Sequence, residues 1–220
     1  MATSAATTHR ALPIIRGRLK YLVFTFLGLM MAYVAIHNES FLVNWKDPIW
    51  AHYREIKWYL LPHGVTAACA LLLGPLQFSD RLRARYANVH RIVGRAYVVG
   101  VMIGAPLGAV MQAVEGPVEW TTLAIVDATL WVSTTAIALT FILNGNVTQH
   151  RNWMTRSYAV AIVFLEGRFL GGITGIDATN QTMQLAIIWT CLAMSIPVAD
   201  IGIHLEEMLR KQLSLRSVRA

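Results

Sequence analysis

Few residues in this chain are equipped for chemistry, so their placement carries the argument. The 220-residue sequence holds 7 His, 12 Asp and Glu, and 2 Cys. His90 and His150 each precede an arginine, in His90-Arg91-Ile92-Val93-Gly94-Arg95-Ala96-Tyr97 and in His150-Arg151-Asn152-Trp153-Met154-Thr155-Arg156-Ser157-Tyr158. Asp200 and His204 are four apart, so a helix sets them on one face, where a carboxylate can orient an imidazole behind a metal ion. With His63, these histidines are candidate ligands of haem b or of a metal. Arg95 and Arg156 suit haem propionates, an anionic lipid headgroup or a quinone head. Each group also has a plainer reading. A histidine at a helix start can bond a loop carbonyl, and basic residues at span ends anchor a membrane protein. A buried haem would also want its histidines a turn or two deeper than His90 and His150.

A second set lies within apolar stretches: Asp127, Glu166 and Arg168. Ionisable groups at membrane depth are costly and face the bundle interior or water. Asp127 and Arg168 are expected to pair across helices through charge-assisted bonds. Glu166 and Arg168, two apart, do not face each other on a regular helix, which leaves His63 as a partner for Glu166. The cluster reads either as a polar clamp between helices or as a small cavity that binds a ligand or passes protons.

The elements that position these residues follow from composition. The chain is 55% hydrophobic and 14% charged, with a mean hydropathy of +0.48. That excludes an ordinary soluble domain, disorder, collagen and a disulfide-stapled secreted module. Cys69 and Cys191 lie in apolar runs and read as free thiols. A transmembrane helix needs about 20 mostly apolar residues. Six runs qualify: 19–36, 58–78, 92–113, 120–143, 155–174 and 183–204. None alternates, which excludes a β-barrel. The expected fold is all-α, a six-helix transmembrane bundle over 19–204 with tails at 1–18 and 205–220. The first apolar run is too long for a signal-peptide core and is expected to be retained.

Orientation comes from basic residues near the span ends. Fifteen of the 19 Lys and Arg fall on the side that holds both termini, so both termini are expected in the cytoplasm. Three, Lys46, Arg54 and Lys57, fall opposite. The net charge of +7 therefore reads as a topology signal and an attraction to anionic lipid, with no nucleic-acid partner. Trp45, Trp50, Trp58 and Trp120 gather at the outer boundary, and the 37–57 loop is expected to form a folded cap. Gly100, Gly104 and Gly108 repeat at four, as a close-packing seam does, and Pro106 should kink that helix.

The two His-Arg motifs, with Gly74-Pro75-Leu76-Gln77-Phe78, resemble a family of bacterial membrane proteins catalogued as domain of unknown function 2306. The resemblance covers roughly residues 60 to 170. It implies an integral protein of several spans, but no reaction, cofactor or substrate. The two motifs also suggest parallel repeats of spans two-three and four-five, about an axis along the membrane normal. No Walker loop, His-Glu-x-x-His or Gly-x-Ser-x-Gly is present. Two functions stay open for a chain expected in a bacterial inner membrane. One is a haem- or metal-binding redox protein. The other is a lipid, quinone or small-solute binder, or an accessory subunit of a membrane complex.

Overall fold

A computed structural model describes residues 21–218, and the described chain is helical without a strand. Among the described residues the α-helices run in order: α1 Tyr21–His37, α2 Ile49–Tyr53, α3 Lys57–Gln77, α4 Asp80–Arg85, α5 Ala87–Glu115, α6 Val118–Leu143, α7 Val147–Ala161, α8 Val163–Thr174, α9 Ile176–Thr179 and α10 Gln181–Val218. Five stretches among the described residues are long and apolar enough to cross a bilayer: α3, α5, α6, α7 with α8, and α10. The sixth expected span corresponds to α1, which is apolar but shorter than 18 residues in its described part. Residues 1–20, including the proposed tail, lie outside the described residues. At the other end, the expected tail from 205 continues α10 as helix to Val218.

Local chemistry explains the joints. Gly116 and Pro117 separate α5 from α6, and proline can open a helix but not continue one. Gly145 takes a φ of 75°, which glycine adopts at no steric cost, and the Asn146 side chain then caps α7 by accepting from Gln149 N. Ser79 caps α4 in the same way.

The α3–α5 contact is built on the glycine stripe. A Cβ on Gly100 would stand 2.8 Å from the Thr66 carbonyl, and one on Gly108 would stand 2.7 Å from His63 Cε1. The stripe is thus a seam, as expected. α6 packs on α5 and α7, and α10 packs on α7 and α8. Buried Leu27, Met30, Val101, Leu123, Trp131, Val163 and Ile188 join these helices in one core. Outside it, Leu72, Val99, Ile103, Val198 and Ile201 are exposed. Apolar residues facing out all round are stable only against lipid.

The 37–57 segment folds as the expected cap. A 3-10 turn at Ser40–Leu42 buries Phe41. Trp50 donates to the Phe41 carbonyl at 2.8 Å and stacks on Trp45 at 4.9 Å. Tyr53 packs on Phe41. Burial, and then the charge of Glu115, push the Tyr53 phenol above the usual 10.0. Above that pH the unfolded chain therefore ionises Tyr53 first, and stability falls as pH rises through the folded pKa. Thermal melts at about pH 8 and about pH 11 should show wild type losing more stability than Tyr53→Phe.

Candidate functional site

At the end of the bundle that carries most arginines, the two motif histidines come together. His90 and His150 are each the fourth residue of their helix, α5 and α7. His150 Nδ1 donates to the Ala138 carbonyl of α6 at 2.9 Å. Trp131 of α6 meets Tyr97 of α5, and two turns further on both helices lie Ala138 and His90. His90 thus shares a level with His150, and it lies within electrostatic reach of His150, Arg83 and Arg91. Its Nδ1 is buried and unbonded among the described residues. Arg95 is exposed.

His63 stands far from this pair. Its Nδ1 donates to the Gly104 carbonyl at 2.8 Å, against Gly108. Along α5, Gly108 and His90 are about 27 Å apart. Among the described residues, no three or more His, Cys, Asp or Glu gather as metal ligands would. Asp200 does not turn to His204 through its carboxylate. That carboxylate accepts from Arg156 Nε at 2.7 Å, and His204 Nδ1 bonds the Asp200 backbone carbonyl instead. Arg156 also lies 4.7 Å over the Trp153 ring. The Arg156 guanidinium is therefore already engaged as a clamp between α7 and α10.

Two turns deeper than the histidines runs a network the sequence did not announce. Tyr97 Oη and Ser157 Oγ are 2.8 Å apart, and Ser157 Oγ and Thr135 Oγ1 are 2.7 Å apart. Trp131 Nε1 donates to Tyr97 Oη at 3.2 Å. All four side chains are buried. The two motifs thus touch, since Tyr97 of the first meets Ser157 of the second. Ser157→Ala would leave the buried Tyr97 hydroxyl proton without an acceptor, while Thr135 keeps its bond to the Trp131 carbonyl at 2.7 Å, and cost about 1–3 kcal/mol, read as a lower midpoint in detergent melts.

The polar residues at mid-depth separate instead of clustering. Arg168 pairs with Glu39, which follows α1. Arg168 and Gly172 share a face of α8, and Gly172 abuts Tyr33 and His37, so that face is turned to α1. Asp127 projects from α6, which packs on α5 and α7. This is why the expected Asp127–Arg168 pair does not form. Asp127 is buried, with Oδ1 unbonded among the described residues. His37 meets Asp177 Oδ2 at 3.3 Å and stacks on Tyr33. His63 faces α5, so it does not meet Glu166 either.

Glu166 faces a different neighbour. The fifth span breaks at Ile162, between α7 and α8, and the Ile162 N–H reaches the Tyr158 carbonyl at 3.3 Å. No Gly or Pro stands at the break. Glu166 lies one turn beyond it, near Cys191 of α10. It lines a cavity of about 250 Å³ with Ala159, Ile162, Thr190, Cys191, Met194, Ser195 and Val198. A second hollow of about 300 Å³ shares Thr190 and Cys191 and runs on to Leu170, Met183 and Ile187. Exposed Met183, Met194 and Val198 leave this groove open to the lipid side. Glu166 has no hydrogen-bond or ion-pair partner among the described residues. The joint is a local kink, since Ile162 N–H to Tyr158 and Glu166 N–H to the Ile162 carbonyl at 2.8 Å carry the helical bonding through it.

A family model described as "Predicted membrane protein (DUF2306)" matches residues 60–203, so the chain belongs to that family. No curated protein and no solved structure matches it.

Proposed function

We propose that this DUF2306 member is a multi-span inner-membrane protein that binds an amphipathic small molecule from the bilayer, in the groove between α8 and α10. The observation that carries the reading is Glu166. A carboxyl at membrane depth is expensive. This one lacks a partner among the described residues, stands beside a helix kink and lines a laterally open cavity. In the protein as purified in a mild detergent, native mass spectrometry should find a lipid-derived adduct. Ala159→Trp, which fills the cavity, should remove it. A wild type without adduct, or an adduct indifferent to Ala159→Trp, overturns the reading.

The proposal includes six spans with both termini in the cytoplasm, supported by the basic residues at one end of the bundle. In intact cells an impermeant maleimide should label Lys46→Cys, and should label Arg85→Cys only after lysis. The reverse pattern inverts the topology.

A second reading, a haem- or metal-binding redox protein, draws support from His90 and His150 at one level, with His150 Nε2 uncommitted. His63 is too distant to complete that set, and Arg156 is held by Asp200. A purified protein without a Soret band or stoichiometric metal removes this reading.

A further inference from the structure

The two His-Arg motifs share a spacing but use their arginines in opposite ways. In the second, Arg151 stands 3.6 Å from Glu206, and Arg156 Nε donates to the Asp200 carboxylate at 2.7 Å. In the first, Arg91 and Arg95 are exposed and have no hydrogen-bond or ion-pair partner among the described residues. The sequence offers them no acid nearby: none stands between Arg81 and Val114. Asp80, just before that stretch, pairs with Arg83. Arg91 and Arg95 are four apart, so they project from one face of α5, about 6 Å apart along the axis. Arg95, Val99 and Ile103 continue that face at intervals of four, and Val99 and Ile103 are exposed. Tyr97, Val101 and Ala105, on the inward face, are buried. The outward face of α5 thus sets two unpaired cations at the arginine-rich end above an apolar row that runs into the span.

We infer that this face of α5 binds an anionic phospholipid, its phosphate on Arg91 and Arg95 and an acyl chain along Val99 and Ile103. A guanidinium meets a phosphate through paired, charge-assisted hydrogen bonds. Two unpaired guanidiniums favour a headgroup with two phosphates over one with a single phosphate. A zwitterionic headgroup brings its own cation and neutralises less. A free phosphate would satisfy the arginines but make no use of the row beneath them. The site stands on a different helix from the α8–α10 groove, and it holds or fails independently of that reading.

The test titrates the full chain in mild detergent with diphosphatidylglycerol, phosphatidylglycerol and phosphatidylcholine of matched chains, read by native mass spectrometry. Diphosphatidylglycerol is expected to bind about tenfold or more tighter than phosphatidylcholine, the margin of a hydrogen bond to a charged group, with phosphatidylglycerol between them. Arg91→Gln combined with Arg95→Gln should erase that margin. Arg210→Gln combined with Lys211→Gln removes equal charge from α10 and should change it by less than about twofold, since charge away from the site acts only through screened attraction. A phospholipid with a diazirine on its acyl chain should crosslink to α5 peptides around Val99 and Ile103. Equal loss in the two double variants, or crosslinks spread evenly over the spans, would reduce the site to diffuse attraction and overturn it. Displacement by inorganic phosphate at matched concentration would make it a phosphate site and overturn the lipid. Ala159→Trp should leave this binding intact. Loss with that variant would put the lipid in the α8–α10 groove and overturn the α5 site.

Discussion

Gly104→Leu is expected to destabilise the bundle by about 3 kcal/mol, the upper range for overpacking a close contact. A Cβ at this position would stand 2.9 Å from Thr66 Oγ1 and 3.3 Å from the Ala67 backbone nitrogen. Thr66 cannot swing aside cheaply, since its hydroxyl already donates to the Pro62 carbonyl at 2.6 Å. The leucine must push α3 from α5 as a body. That motion would open the contacts at Gly100 and Gly108 and pull His63 from the Gly104 carbonyl. Within lipid, helix association has no hydrophobic drive and rests on such close packing and interhelical hydrogen bonds. Gly104→Ala should cost less, about 1–2 kcal/mol, because its single methyl, 2.9 Å from Thr66 Oγ1, still forces a shift but a smaller one than leucine does. Circular-dichroism melts in detergent would rank the variants. Wild-type melting of Gly104→Leu would deny the seam its structural role.

That seam was legible because it depends on spacing within one helix. Gly100, Gly104 and Gly108 share a face wherever α5 packs, and any partner must come close. The span positions were legible for a similar reason, since hydropathy is a local sum. The cap over 37–57 announced itself through Trp45 and Trp50, whose rings suit a boundary. Partner choice was not legible, because it depends on which faces of distant helices meet. Arg168 was expected to reach Asp127, and its partner is Glu39, 129 residues away in sequence. Glu39 lies in the cap, outside the apolar runs from which partners were drawn. Asp200 looked bound to His204 by a four-residue spacing, yet its carboxylate goes to Arg156, 44 residues away. The break at Ile162 has no Gly or Pro to betray it. The burial of the motif tyrosines was not legible either: Tyr97 and Tyr158 are buried, with Tyr158 donating to the Leu71 carbonyl at 3.1 Å.

These differences sort the ionisable groups by use. Arg156, Arg168 and His37 each meet a carboxylate, and each contact joins parts of the chain far apart in sequence. The expense of placing charge near or within lipid is offset there by pairing. His63 and His150 spend a ring nitrogen on a carbonyl of a neighbouring helix, which serves packing. Glu166 does neither, and it alone among these groups lines the groove. This contrast supports the proposed binding role of Glu166, whereas Asp127 and His90, which also hold a buried unbonded atom among the described residues, line no groove.

Asp200→Ala should cost about 1–2 kcal/mol, between an exposed and a buried ion pair, because it leaves Arg156 without its countercharge. The Arg156 side chain is only 17% exposed, whereas that of Asp200 is 37% exposed, so the arginine is the group that suffers. Water at the bundle end can resolvate it in part, which keeps the loss from the upper end. The Trp153 ring beneath the guanidinium retains some attraction, but a ring face replaces a carboxylate poorly. The His204 bond survives, since it uses the Asp200 backbone carbonyl. Arg156→Leu combined with Asp200→Leu should recover most of the loss, because an apolar pair of similar volume leaves no uncompensated charge. Thermal melts of Arg156→Leu, Asp200→Leu and the double variant, read as a double-mutant cycle, measure the coupling directly. Strict additivity in that cycle would mean that the 2.7 Å contact between α7 and α10 contributes nothing, and that the α7–α10 contact rests on side-chain packing alone.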